Sequence, residues 1–419
     1  RSLAMFSKWR WLLSQLVQQM WLRSALFGLL AVMIALLALP LETLIDNPLP
    51  FSISSTAVGD LLDILASSML AVTTFSLGVM VTAFGSASAG ATPRANQLVK
   101  KDTTSQNVLA TFLGSFIYSL VGIIALHMNV YGETGLIILF ATTVAVIALI
   151  VITILRWIDH LSKLGRLAET TKRIEIATQT ALKEWQDHPC LGGKLLENYD
   201  IPADAVPIYT DLVGYIQHID TGALANIATE QNAEIAVLQL TGKFVHGGEA
   251  IAWIRHSRNP QVFSVIRSAF TIGDERSFEQ DPRFGLCVLA EIASRALSPA
   301  INDPGTAIDI LGRGVRVLQH WRNKQTMPET VVYDNVWVPT LDLNDLLDDL
   351  FLPIARDAAG LIEVHIRLQK ALLALTAIDT ATFADATKRI ALQDWAFANT
   401  LLTIDSDKQR LQQLLIKFK

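Results

Sequence analysis

Cysteine, charge and catalytic signatures are all scarce in this chain. It has 2 cysteines in 419 residues, Cys190 and Cys287, with no CxxC pair and no Cys/His cluster of metal-ligand spacing. That excludes a disulfide scaffold and a zinc-finger module. Charged residues make up only 17%, against about 25% in an average soluble protein. There is no HExxH, no GxSxG elbow, no P-loop, and no kinase or dinucleotide fingerprint. Metals and cofactors are therefore not expected, and an enzyme, carried by the polar set around Asn302 and Asp303, is the least supported reading. The chain opens on Arg1-Ser2 rather than Met, which reads as a trimmed or extended start.

Apolar residues are plentiful instead: 51% of the chain is hydrophobic, and mean hydropathy is +0.37. The formal charge is −5, unevenly spread. Arg1 to Arg173 carries 12 basic and 8 acidic residues; the remainder carries 22 and 31. So acidic a second half argues against a nucleic-acid partner, whose phosphates need a basic surface.

The apolar excess falls in four blocks, each long enough to cross a bilayer core as helix: Ser24–Leu41, Ile64–Gly85, Val108–Val130 and Thr134–Leu155. Lys and Arg alternate between the connections. Arg1, Lys8, Arg10 and Arg23 precede the first block, and Arg94, Lys100 and Lys101 follow the second. Arg156, Lys163, Arg166, Lys172 and Arg173 follow the fourth. The loops after the first and third blocks are acidic. This places both termini on the cytoplasmic side of a bacterial inner membrane. The Trp-rich stretch Phe6–Trp21 fits either an interfacial helix or the start of a tilted first span.

The second block holds most of the polar content. Asp60, Asp63, Ser67, Ala71, Thr74, Gly78, Thr82 and Gly85 recur at steps of three and four, which is one helix stripe. Leu65, Met69, Leu70, Phe75, Leu77 and Val81 fall on the other face. Such a stripe fits close helix packing, or the wall of a wet path with Asp60 and Asp63 at its outer mouth. The two carboxylates equally fit helix-start caps. Gly85 to Arg94, with Gly90 and Pro93, is small and uncharged up to Arg94 and reads as a hinge or pore mouth. His127 and His160 stand near span ends.

Four regions are expected: 1–160, an interfacial helix and four spans; 161–207, a stalk continuing span four, and a linker; 208–256, a β-module; and 257–419, mainly helical. The fold class is thus a mostly α membrane protein with a cytoplasmic α+β part. Gly214–Asp220 and Phe244–Trp253 are similar to the half-motif of barrel-sandwich (biotinyl- or lipoyl-like) carrier domains. No acceptor lysine stands at a hairpin tip, because Lys243 lies in the turn before Phe244, so the module reads as structural. Further on, Glu279, Asp281, Arg295, Asn302 and Asp303 form a polar set near two helix starts. Asp281-Pro and Asp303-Pro are what capping predicts; a small ligand or cation site is the other reading.

The segment Arg276–Ala307, RSFEQDPRFGLCVLAEIASRALSPAINDPGTA, resembles the signature of a bacterial integral-membrane family of unknown function. The PRA at Pro93–Ala95, TFLGSFIYSL in the third block, and GYIQHID with FVHGG belong to the same resemblance. It implies four spans followed by a soluble region, and no activity. Two functions stay open. One is a homo-oligomeric channel lined by the second span, passing a small ion. The other is a membrane-tethered regulatory or scaffold protein that binds a ligand or partner. The expected partners are the lipid bilayer and further copies of the chain, with a small ion or an unidentified ligand besides, and no nucleic acid.

Overall fold

The computed structural model describes residues 20–42, 53–100, 102–163, 165–196, 202–321 and 331–418. Two compact units divide the chain, one within Leu13–Thr170 and one built from Thr171–Lys419. The Phe6–Trp21 stretch lies almost wholly outside the described residues.

The first unit is helical: α1 (Met20–Glu42), α2 (Ser55–Gly90), the single-turn α3 (Asn96–Lys100), α4 (Thr103–His127) and α5 (Glu133–Leu161). Among the described residues, three stretches are long and apolar enough to cross a membrane: Ser55–Ser86, Thr103–His127 and Glu133–Leu161. At 1.5 Å per residue even the 25-residue α4 spans about 37 Å, more than a bilayer core. The expectation of four is met for three. The first block is helical, but its described apolar stretch, Leu22–Ile34, is too short to count.

α4 is the centre of this unit. Its glycines let neighbours approach: Gly114 lies against the Phe27 backbone of α1, and Gly122 against Leu62 of α2. Leu62 joins Val58, Tyr118, Ala125 and Leu139 in one apolar cluster; Leu65, Met69, Phe112, Ile150 and Trp157 form a second. The buried Tyr118 hydroxyl shares hydrogen bonds with Thr142 (2.8 Å) and Thr143 (3.0 Å) of α5.

The second unit mixes helices and sheets. In order it has α6 (Leu167–Asp187), β1 (Gly193–Leu195), β2 (Val206–Tyr209), β3 (Gly214–Ile219), α7 (Thr221–Glu230), β4 (Glu234–Val237), β5 (Phe244–Val245) and β6 (Ala250–Arg255). Then follow α8 (Pro260–Ala269), β7 (Phe270–Gly273), α9 (Pro282–Leu297), α10 (Pro304–Leu318) and β8 (Tyr333–Val338). Four helices close the chain: α11 (Leu343–Asp357), α12 (Ile362–Ile378), α13 (Thr380–Leu401) and α14 (Asp405–Leu415). Five strands form one mixed sheet, ordered β1-β8-β4-β6-β2, and three form an antiparallel sheet, β5-β3-β7.

Three expectations change here. α6 does not continue α5, because the chain turns at Gly165 (φ +77°), close against the Ala83 backbone. Only glycine takes that φ cheaply. The strands read in 208–256 form, but not as a closed module: they divide between the two sheets, and β1, β8 and β7 come from outside that stretch. The stretch expected to be mainly helical, 257–419, is not one run of helix: it breaks at Ala359 (φ +47°) and at Leu402, and strands β7 and β8 interrupt it.

Candidate functional site

On α2, Val58, Leu62, Leu65, Met69, Ser76, Met80 and Ala83 are buried. Asp60, Asp63, Ser67, Thr74, Gly78, Thr82 and Gly85 are all exposed. The polar stripe therefore faces outward and packs on no other described helix of the chain. A Cβ added at Gly59, Gly78 or Gly85 meets nothing within 4 Å. Leu70, Phe75, Leu77 and Val81, expected opposite the stripe, flank it in the open, while Leu65 and Met69 turn inward. The hydroxyls bond their own helix: Ser67 to the Asp63 carbonyl (2.9 Å), Thr74 to Leu70 (2.9 Å), Thr82 to Gly78 (3.0 Å). A shallow groove of about 550 Å³ runs past Phe75, Gly78, Thr82 and Ser86.

The expected hinge takes another form. Gly85 lies inside α2, Gly90 ends it, and Pro93 and Arg94 stand in a 3-10 turn whose Ala95 is fully buried together with Ala91. His127 closes onto the Ile123 carbonyl of its own helix (2.9 Å). His160 does more: its Nε2 meets Asp102 at 2.6 Å and Ser105 at 3.2 Å, tying the end of α5 to the start of α4. Asp102 also caps α4 through the Ser105 amide (3.1 Å). Carboxylate and hydroxyl share one ring nitrogen, so this is not the relay of a serine hydrolase, where they sit on opposite nitrogens. Sequence reading passed over Asp102, although an Asp just before Thr-Thr-Ser is a capping signal.

In the second unit the expected polar set separates. Asp281 caps the start of α9 through the Phe284 amide (3.0 Å), and Asp303 caps α10 through the Thr306 amide (3.1 Å). The 16-residue α9 stands between them, about 24 Å long. Arg295 and Asn302 are exposed near its far end. Hydrogen bonds from Thr306 hold the Asp303 carboxyl below its ordinary value. Glu279 is half-buried beside Asp281 in the chain, and its charge helps raise the Glu184 carboxyl, which burial raises most. No group of three metal-ligating side chains occurs among the described residues.

What gathers around Asp281 instead is a clasp. Arg276 grips its carboxylate with two N–H groups (2.8 and 2.9 Å) and lies 5.1 Å from the Phe284 ring. The Gln280 side chain accepts from the Ile219 amide (3.0 Å), extending the hydrogen bonding of β3, and Thr241 donates to the Gln280 carbonyl (2.6 Å). Gly242 (φ +86°) sits so close that a Cβ there would overlap the Asp281 carboxylate. Burial pushes the Asp281 carboxyl up to about 6 despite Arg276. Burial likewise pushes the Cys287 thiol up to about 11, so it is neutral and a poor nucleophile at pH 7. Arg283 is held by Asp349 (2.7 Å) and Asp345 (2.6 Å) of α11. Above the clasp opens a cleft of about 500 Å³, bordered by Tyr215, Lys243, Phe244, Arg276 and Arg283. Sequence reading singled out Asp281 but missed Arg276 and Arg283, which flank the cap on both sides.

A family profile described as "Predicted membrane protein (DUF2254)" matches residues 17–374. Uncharacterised proteins of Mycobacterium bovis and Mycobacterium tuberculosis are each 29% identical over 223 residues, covering 50% of this chain and 42% of theirs. The chain thus spans under half the length of these curated relatives. No solved structure matches.

Proposed function

The chain belongs to this family of predicted membrane proteins, and from that premise we propose that it assembles with copies of itself in the bacterial inner membrane as a gated pore lined by α2. One observation carries the reading: a stripe of small and hydroxyl-bearing residues from Asp60 to Gly85 faces away from the protomer's own helices. Lipid offers such a stripe nothing, whereas a second copy offers close packing and a central axis offers water. Closed rings are the usual way to build a pore from small protomers. The helix Met20–Glu42 serves as a fourth span, both termini are cytoplasmic, and Asp60 and Asp63 stand at the outer mouth. The test is ion flux into liposomes holding the purified protein, alongside Gly78→Trp. Flux lost in a variant of unchanged oligomeric mass supports the pore. A variant that conducts like the parent, or no flux from either across ions, pH and osmotic tension, rules it out.

A second reading has its own support. The cleft over the Arg276–Asp281 clasp has the volume of a small-molecule site. On that reading the spans anchor a ligand-binding regulatory unit. The full-length protein in detergent would then gain thermal stability from a small molecule, and substitutions on α2 would leave that gain unchanged.

A further inference from the structure

We propose that the cleft of the second unit binds a nucleotide, with phosphate on Lys243 and Arg283 and the base against Phe244. The proposal rests on the ligand-binding reading and is independent of the pore.

The cleft carries both signs of charge. Each of its carboxylates is engaged through one oxygen: Asp342 accepts from the Asn344 amide (2.9 Å) as the cap of α11, and Asp345 accepts from Arg283 (2.6 Å). Donors on Arg283 and Lys243 remain. A guanidinium has five N–H groups. The hydrogen bonds of Arg283 to Asp345 and Asp349 use three of them. The Lys243 ammonium is 3.9 Å from Glu249, its nearest carboxylate, beyond hydrogen-bond reach. The remaining donors complement an anion, and a guanidinium already fixed by two carboxylates presents its other N–H groups without a further ordering cost.

Next to these donors the cleft turns aromatic. Phe244 is 48% exposed, and Tyr215 supports it edge-on, 5.2 Å between centroids at 72°. An exposed ring held this way offers a face to a planar base. The turn bearing Lys243 and Phe244 is itself fixed, since Gly242 is seated on the clasp and the Gly242 amide donates to the Ile216 carbonyl (2.8 Å). The volume of about 500 Å³ lies within the range of small-molecule sites. Ring, anion and size together describe a nucleotide better than a free phosphate or an apolar metabolite.

The test is equilibrium dialysis of the full-length protein in detergent against ATP, AMP, adenosine and inorganic phosphate. ATP or AMP should bind at least tenfold more tightly than adenosine or phosphate alone. Lys243→Gln and Phe244→Ala should each weaken nucleotide binding at least fivefold. Both side chains are about half exposed, so thermal unfolding should not move. No saturable binding of ATP or AMP overturns the proposal, as does binding indifferent to both substitutions. A thermal-shift panel of neutral and cationic metabolites separates the two levels. A stabilising compound there, with ATP and AMP inert, removes the nucleotide and keeps a ligand-binding unit; an inert panel removes both.

Discussion

The two units differ in what ties their elements together, although hydroxyls turn back on their own helices in both, as Thr178, Thr229 and Thr387 do in the second. In the membrane-capable helices, hydroxyls turn back on their own backbone: Thr73, Thr111, Ser115, Ser119 and Thr153 each donate to the carbonyl four residues earlier. Among the described residues, polar ties between the helices of this unit include Tyr118 to α5, His160 to Asp102, and Arg23 to Asn107 (2.9 Å). In the second unit, charged groups join separate elements. Glu175 of α6 holds Arg313 and Arg316 of α10, Arg283 of α9 holds α11, and His365 of α12 holds Asp394 of α13. Where no water competes, an unpaired group is costly, and the nearest carbonyl is the safest partner. Where water surrounds the fold, the useful polar bonds are those that fix one element against another. Substitutions should therefore cost most where a side chain bridges elements and least where it serves its own helix.

The largest effect is expected at Asp394. It is fully buried and meets His365 at 2.7 Å and Gln369 at 2.7 Å. Asp394→Ala leaves the buried His365 ring and the Gln369 amide without their carboxylate partner, and breaking such a pair costs about 3–5 kcal/mol. Denaturant unfolding of the full-length protein should show a loss of that order; a loss below 1 kcal/mol would mean the pair is not what holds α12 to α13.

Glycines sharpen the contrast. A Cβ at Gly285 of α9 would overlap the Thr178 hydroxyl of α6, whereas one at Gly78 meets nothing. Gly285→Val should cost about 1–3 kcal/mol, the usual penalty of overpacking. Gly78→Val should leave stability unchanged. Equal thermal shifts would show that the α2 face is covered.

A smaller effect should appear with pH. Burial alone would lower the pKa of His365, but Asp394 and the Ala359 carbonyl each accept from a ring nitrogen and raise it above its ordinary value. A raised folded-state value means the cation is favoured in the fold. Its contribution is complete below the unfolded value of about 6.5 and fades as pH rises through the folded one. Melting temperature should therefore fall as pH rises above about 6.5, and His365→Gln should flatten that fall.

How legible this was in the sequence follows from the same contrast. Apolar runs, caps and turns are local, so the helix starts at Asp281 and Asp303 and the strand Gly214–Ile219 were readable. So was the stripe of α2, because a helix repeats every few residues. Which way that stripe faces was not readable, since it depends on α4, forty residues on. The clasp was hidden for a like reason. Arg276 finds Asp281 nearby, but Thr241 and Ile219 arrive from other elements. Likewise β8 enters between β1 and β4 of a sheet whose other strands all end at Arg255 or earlier. Asp102 carried a local capping signal, but its tie to His160, 58 positions away, could not be read from the sequence.

The smallest stability effect tests the comparison at its limit. Thr74 is exposed, and its hydroxyl bonds only the Leu70 carbonyl of its own helix at 2.9 Å. Thr74→Val keeps the shape and removes the hydroxyl; the freed carbonyl keeps its helical hydrogen bond. Within one protomer the change should stay under about 0.5 kcal/mol, as at most exposed positions. A hydroxyl that lines a wet path has a second role that stability does not register. If α2 borders a pore, Thr74→Val should change ion flux several-fold while leaving unfolding and oligomeric mass alone. If α2 packs on a second copy without a pore, the oligomeric mass should respond. If the face is in lipid, neither should move, and the outward stripe would lose its functional reading.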